Sequence, residues 1–297
     1  MDTQSKTCRI GILGHSVSQD LPECLESLVT FCQQKNLEIL LEPALLKYAP
    51  ENIEELDLER KRVDFLIALG GDGTLLRAGR MASGMNIPVL GVNLGHLGFL
   101  TALPKNDLEG CLQQILDGDY VLDVRSMLDA QIVHEDGSEG DPLLAWNDFV
   151  IHKSGLASVT RLGLRIKKSS DWNEMGSFAG DGLVVGTPTG STAYSLSAGG
   201  PIVDPSVECF LVTPICPHTL NIRPMIIPGS SKVAVDSVER AENLVLTADG
   251  QVALDVPPGS TIYIKQSEIN IHLVRFPGQN FFGTLRHKLN WAGESLG

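Results

Sequence analysis

The 297-residue chain lacks the two glycine signatures by which phosphate binding is most often read from a sequence. No Gly-Lys pair precedes a Ser or Thr, so a Walker-type loop is absent, and no G-x-G-x-x-G opens a helix. Basic residues are also few. Twenty-three Lys and Arg against 36 Asp and Glu leave a net charge of −13, which excludes a general nucleic-acid or membrane-surface binder that needs a basic footprint. Aromatic residues make up 5%. The six cysteines, at 8, 24, 32, 111, 209 and 216, form no C-x-x-C pair, and no His is spaced to complete a zinc site; free, mostly buried thiols are expected. No apolar run reaches membrane-spanning length, and Met1–Lys6 has no apolar h-region behind it. A reducing, cytoplasmic setting is expected. Small polyanionic substrates stay open, because a few local cations and a divalent ion supply the positive field they need.

What is present centres on one apolar run and its turn. Val63-Asp64-Phe65-Leu66-Ile67-Ala68-Leu69 reads as a strand covered on both faces, and Gly70-Gly71-Asp72-Gly73-Thr74 follows it. Three glycines around one carboxylate let the backbone approach a ligand without a Cβ in the way. Thr74 is placed to cap a helix over Leu75–Ala82, which sets Asp72 at the carboxyl end of a strand, beside a helix N-terminus. A plain strand-to-helix turn with Asp72 as a local hydrogen-bonder explains the same residues.

Before this turn, Arg9–Gly14 reads as a strand. A helix follows with Asp20 as N-cap, Pro22 early and Glu23 at capping-box spacing. Leu37–Leu41 and Ile87–Val92 are further strands, and Asp107–Leu116 a short helix. This alternation predicts a parallel-sheet α/β domain over residues 1–103. After Pro104 short strands dominate, at 129–134, 143–152, 159–167, 181–186, 232–238, 244–248, 261–265 and 270–276, with turns at Asp136-Gly137, Asp249-Gly250 and Pro258-Gly259, and predict a mostly antiparallel β domain over 104–275. Residues 276–297 carry Phe281, Phe282, Leu285, Leu289 and Trp291 at near-helical spacing, the pattern of a terminal helix packing back on the first domain.

Gly180-Asp181-Gly182 opens a second glycine-rich cluster that runs through Thr187-Pro188-Thr189-Gly190-Ser191-Thr192-Ala193-Tyr194 to Gly199-Gly200-Pro201. Such a segment makes little core; it presents donors and acceptors to a polar ligand, with Tyr194 as a stacking face. A polar loop capping its own helix is the plainer alternative. Asn147-Asp148 interrupts a strand-like apolar run, and a buried polar pair needs partners, whether in a bulge or in a ligand. His96, between Gly95 and Gly98, reads as a hydrogen-bonded turn residue.

Together Gly70–Thr74, the Gly91–Leu100 string, Asn147-Asp148, Gly180-Asp181-Gly182, the Thr187–Tyr194 string, Ala198–Pro201, Pro214–Leu220 with Arg223-Pro224, and Asp249-Gly250-Gln251 resemble the NAD kinases. The order agrees, and the likeness runs from about residue 60 to the end. The first turn alone is unspecific, since lipid kinases share it; the Thr187–Tyr194 string is far more specific. The resemblance implies phosphorylation of the adenosine ribose 2′-hydroxyl of NAD by ATP, with a divalent metal, Mg2+, held mainly by nucleotide phosphates, in a homo-oligomer, a tetramer or dimer. It makes Asp72 the proton acceptor, sets Gly73 and Arg77 by the nucleotide phosphates, and gives Asn147 and Asp148 the ribose. Asp181 would meet the nicotinamide end, and Ser158, Thr189, Thr192, Ala193, Tyr194, Ser195, Leu196, Ser197 and Gln251 would line a dinucleotide site in the β-rich domain.

Two positions depart from the family pattern. Asp148 stands where the family usually has Glu, one methylene longer, and Ala179 replaces a polar or charged residue before Gly180. Two other functions compete with the kinase. A lipid or sugar kinase sharing the first turn would need an apolar cleft or a basic face, and a non-catalytic dinucleotide sensor would need only the pocket.

Overall fold

A computed structural model describes residues 8–15, 17–95, 97–101, 103–155, 159–219, 221–239 and 242–290. His96, Ser158 and Trp291 lie outside them. The chain divides into two compact units, residues 1–124 with 271–297, and residues 125–270. Composition changes earlier, near Pro104, because one more helix precedes the long strand on which the division falls.

In the first unit β1 (Arg9–Gly14), α1 (Leu21–Gln34), β2 (Glu38–Leu41), β3 (Glu54–Glu55), β4 (Phe65–Gly70), α2 (Asp72–Ala82), β5 (Val89–Asn93), β6 (Leu103–Pro104) and α3 (Leu108–Asp117) follow in order. The sheet is parallel, ordered β3-β2-β1-β4-β5, with β6 also on β5. Ile10, Ile12, Ile67, Leu69, Leu90 and Val92 form one core with the apolar stripes of α1 and α3. Leu75 of α2 sits 2.8 Å from where a Cβ on Gly91 would lie, so α2 covers the opposite face. The chain winds outward from β1 to β3, then returns to β4 on the other side. The carboxyl ends of β1 and β4 therefore flank a topological switch point, the crevice where open α/β sheets bind ligands.

The second unit contains most of β7 (Val121–Val133), then β8 (Leu143–Ala145), β9 (Asp148–Lys153), β10 (Thr160–Lys168), β11 (Asp171–Gly180), β12 (Gly182–Gly186), the one-turn α4 (Tyr194–Ser197), β13 (Cys209–Ile215), β14 (Met225–Pro228), β15 (Lys232–Ser237), β16 (Leu244–Ala248), β17 (Val252–Val256) and most of β18 (Thr261–Arg275). One antiparallel sheet is ordered β14-β13-β12-β9-β16-β17. The other runs β11-β10-β15-β18, with β7 on β18 and β8 on β7. Alternate residues of both, among them Phe149, Ile151, Leu183, Phe210, Leu162, Val233 and Ile264, interdigitate in a single core. The end of β18 pairs in parallel with β5, Leu273 opposite Val89, and α5 (Phe281–Leu289) closes the described chain. The expected α/β and antiparallel β parts and the terminal helix are all present.

Local readings needed correction. Helix α2 begins at Asp72 with Gly71 as its N-cap, so Thr74 lies inside the first turn rather than capping it. Asp20 precedes α1 without a side-chain cap bond; its carboxylate takes Lys105 Nζ at 2.7 Å instead. Strands β11, β13, β14 and β17 were not expected, and two expected strands, 261–265 and 270–276, are one continuous β18.

Candidate active site

Asp72 stands at the switch point, where β4 turns into α2. The chain beyond β5 folds over it. Phe99 N donates to Oδ2 at 2.7 Å, while Leu100 N (3.1 Å), Thr101 N (2.9 Å) and Thr101 Oγ1 (2.9 Å) all donate to Oδ1. A Cβ on Gly98 would collide with this carboxylate. Oδ1 is thus saturated, and Oδ2 keeps room for a further partner. Gly73 is exposed in the first turn of α2, and Arg77, one turn further, is paired with Glu42.

In the second unit Asn147 and Asp148 lie where β8 breaks before β9. The break is held from two sides. Asp249, at φ 50° in the β16–β17 hairpin, accepts Asn147 N at 2.7 Å, Trp146 N at 3.1 Å and Asp148 N at 3.3 Å. From the other side Thr187 N donates to Asn147 O at 2.8 Å, and Thr187 Oγ1 donates to Trp146 O at 2.7 Å. Gly190 presses on Asn147 O so closely that a Cβ there would overlap it. The Tyr194 backbone donates to the Asp148 carboxylate. The two segments read separately from the sequence are therefore one structure.

This structure is polar, buried and incomplete. Asp148 is 3% exposed, and burial, with Asp249 beside it, pushes its carboxyl up to about 7. Asp148 Oδ2 and Asn147 Oδ1 are buried acceptors with no hydrogen bond, and Trp146 Nε1 is a buried donor in the same condition. Three consecutive residues carrying unsatisfied polar atoms are costly unless something completes them.

The remaining expected residues divide into inward and outward sets. Thr189 is buried and its Oγ1 accepts from Arg125 Nη1 at 3.2 Å, while Ser195 is fully buried against Thr213 Oγ1 at 2.9 Å. Tyr194, 45% exposed, and Ser197 face solvent, with Thr192, Ala193 and Leu196 part-buried between. Asp181 is exposed and accepts the Cys216 thiol, whose proton it holds more tightly than usual. Gln251 is exposed beside the Asp249-Gly250 turn. Sequence reasoning missed the supporting residues Glu42, Gly98, Thr101 and Asp249. Only the Asp249-Gly250 turn and the glycines around His96 gave any signal for them.

A parallel sheet with a carboxylate fixed at its switch point in one unit, and a β sandwich holding unfilled hydrogen-bond sites in the other, define a two-unit α/β and antiparallel-β class of protein. Comparison narrows this class. The ATP-NAD kinase N-terminal domain profile matches residues 11–120, and the ATP-NAD kinase C-terminal domain profile residues 146–276. An NAD kinase of Gemmatimonas aurantiaca is 41% identical over 287 residues, covering 97% of each chain. One of Syntrophotalea carbinolica is 37% identical over 96% of this chain and 99% of its own. The structure of yeast NADH kinase complexed with NADH superposes with a TM-score of 0.88 at 25% identity, covering 98% of this chain and 89% of that one. The chain belongs to the NAD kinase family.

Proposed function

We propose that the chain transfers the terminal phosphoryl of ATP to the 2′-hydroxyl of the adenosine ribose of NAD, giving NADP. The observation that carries the assignment is the pair of unfilled acceptors, Asn147 Oδ1 and Asp148 Oδ2. Two adjacent acceptors complement the hydroxyl donors of a ribose, and Tyr194 supplies an exposed ring for a base to stack on. Thr189, Thr192, Ala193, Ser195, Leu196, Ser197, Asp181, Ser158 and Gln251 belong to the same reading as the dinucleotide site.

In this reading Asp72 Oδ2 takes the proton of the attacking hydroxyl, because Oδ1 is occupied by three donors. The loop at 98–101 fixes the carboxylate, so alignment is built in before substrate arrives. Gly73 and Arg77 face the nucleotide phosphates. Phosphoryl transfer asks mainly for alignment and charge neutralisation. A divalent ion would be carried by the phosphates of ATP, near Asp72. When bound, Mg2+ neutralises phosphate charge. No helix among the described residues is long and apolar enough to cross a membrane. We place the enzyme in the cytoplasm because its cysteines are free thiols, as a reducing compartment keeps them. Assembly into a dimer or tetramer is supported by Trp172 and Met175, 40% and 51% exposed on the edge strand β11.

The test is NADP formation from NAD and ATP by purified protein, with and without magnesium. Metal-dependent 2′-phosphorylation is expected. Folded protein that binds NAD and yields no NADP would overturn the assignment.

A further inference from the structure

At the carboxyl edge of the first unit's sheet, the guanidinium of Arg77 is locked end-on against Glu42. Nη1 donates to Glu42 Oε1, and Nη2 donates to Glu42 Oε2 at 3.0 Å. Nη2 also donates to Gly14 O at 3.1 Å, and Gly14 N donates to Glu42 Oε2 at 3.2 Å. One ion pair thus ties the last residue of β1, the residue after β2 and the second turn of α2. All three border the switch point that holds Asp72.

The charge arrangement is otherwise hard to explain. A carboxylate beside a phosphate site weakens the local positive field, and a part-exposed ion pair contributes little to stability. Ordering gives the better account. A free arginine side chain carries considerable rotamer entropy, and a bidentate carboxylate removes that freedom in advance. Three of the five N–H donors are used here, so Nε–H and one Nη1 hydrogen remain. The Arg77 side chain keeps 37% exposure against 17% for Glu42, so solvent and ligands can still reach the arginine.

We propose that Glu42 is a positioning residue for the phosphoryl-donor half of the reaction: it holds Arg77 so that the two remaining donors meet the triphosphate of ATP. The proposal rests on the reading of ATP as donor. Glu42 touches neither substrate and acts only through Arg77.

Titration calorimetry of ATP and steady-state kinetics on the full chain test it, with Glu42→Gln, Arg77→Met and the double variant compared to wild type. Glu42→Gln keeps size and a hydrogen-bonding oxygen but loses the charge. It is expected to weaken ATP, in Kd and in KM, by about 5- to 20-fold while KM for NAD stays within about twofold. In the Arg77→Met background the same change should add less than about twofold. Glu42→Asp, which keeps the charge, should restore part of the affinity. Tighter ATP binding by Glu42→Gln would show a restraint on Arg77 instead, and equal losses in both backgrounds would show a role in folding; either overturns the proposal. Wild-type protein that binds ATP without forming NADP would overturn only the kinase assignment, and calorimetry would still decide on Glu42. No ATP binding by wild type would overturn both.

Discussion

Gly98 lies so close to Asp72 that any β-carbon on it would occupy the place of the carboxylate. Gly98 is not at positive φ, so the requirement is for space and not for a special backbone. Gly98→Ala is expected to push the 98–101 loop off Asp72, weakening the four hydrogen bonds that orient it. Turnover should fall by at least about tenfold with melting lowered only a few degrees, because the loop and not the core is displaced. Unchanged turnover would remove the loop from the catalytic arrangement.

Gly110 offers the opposite case. It is exposed within α3, with nothing within 4 Å of an added Cβ and no positive φ. Gly110→Ala should raise stability by about 0.5–1 kcal/mol, from helix propensity alone, and leave NADP formation unaltered. Denaturant melts of the two glycine variants side by side check the contrast.

Gly190→Ala should behave differently again. Its Cβ would meet the backbone carbonyl of Asn147, which cannot rotate away as a side chain can. A loss of about 2–3 kcal/mol is expected, together with weaker NAD binding, since Asn147 must move. Equilibrium unfolding and an NAD titration on the same variant measure both.

Asp148 makes a pH prediction. Its carboxyl is raised from 3.8 to about 7 by burial first and Asp249 second, so the native state keeps a proton that the unfolded chain has released. Its stabilising contribution is therefore full below about pH 4, declines as pH rises toward 7, and is constant above. Asp148→Asn, which never ionises, should gain stability relative to wild type between pH 4 and pH 8. NAD binding should run the other way: the ionised carboxylate accepts a hydroxyl donor on its unfilled Oδ2, so affinity should rise through pH 7 in wild type and stay flat in the variant. Parallel pH profiles of melting and of NAD affinity separate the two effects.

Sequence legibility followed the physics of each element. Phe65–Gly70 was readable as an unbroken apolar run, the mark of a strand covered on both faces, and the stripe of α1 from its helical spacing. Strand β11 escaped because Asp171–Ser177 is exposed on both faces and shows no alternation, and β13 because Thr213 and Pro214 break its run of apolar residues. In the candidate site, Asp72, Asn147 and Asp148 stood out as polar interruptions of apolar sequence. Their supports did not. Glu42 sits 35 residues from Arg77, and Asp249 sits 102 from Asn147, so only the fold brings each pair together. Asp249-Gly250 was legible as a hairpin turn, with φ values of 50° and 65°, but its second task of holding residues 146–148 was not.

The most direct test is the rate of NADP formation from NAD and ATP by wild type and by Asp72→Asn under identical magnesium and pH. The amide keeps the shape of the carboxylate but cannot take the proton through Oδ2, so turnover should fall by about 100-fold or more while far-UV circular dichroism and NAD affinity are retained. A folded Asp72→Asn protein that forms NADP at a rate near wild type would contradict the account at its centre.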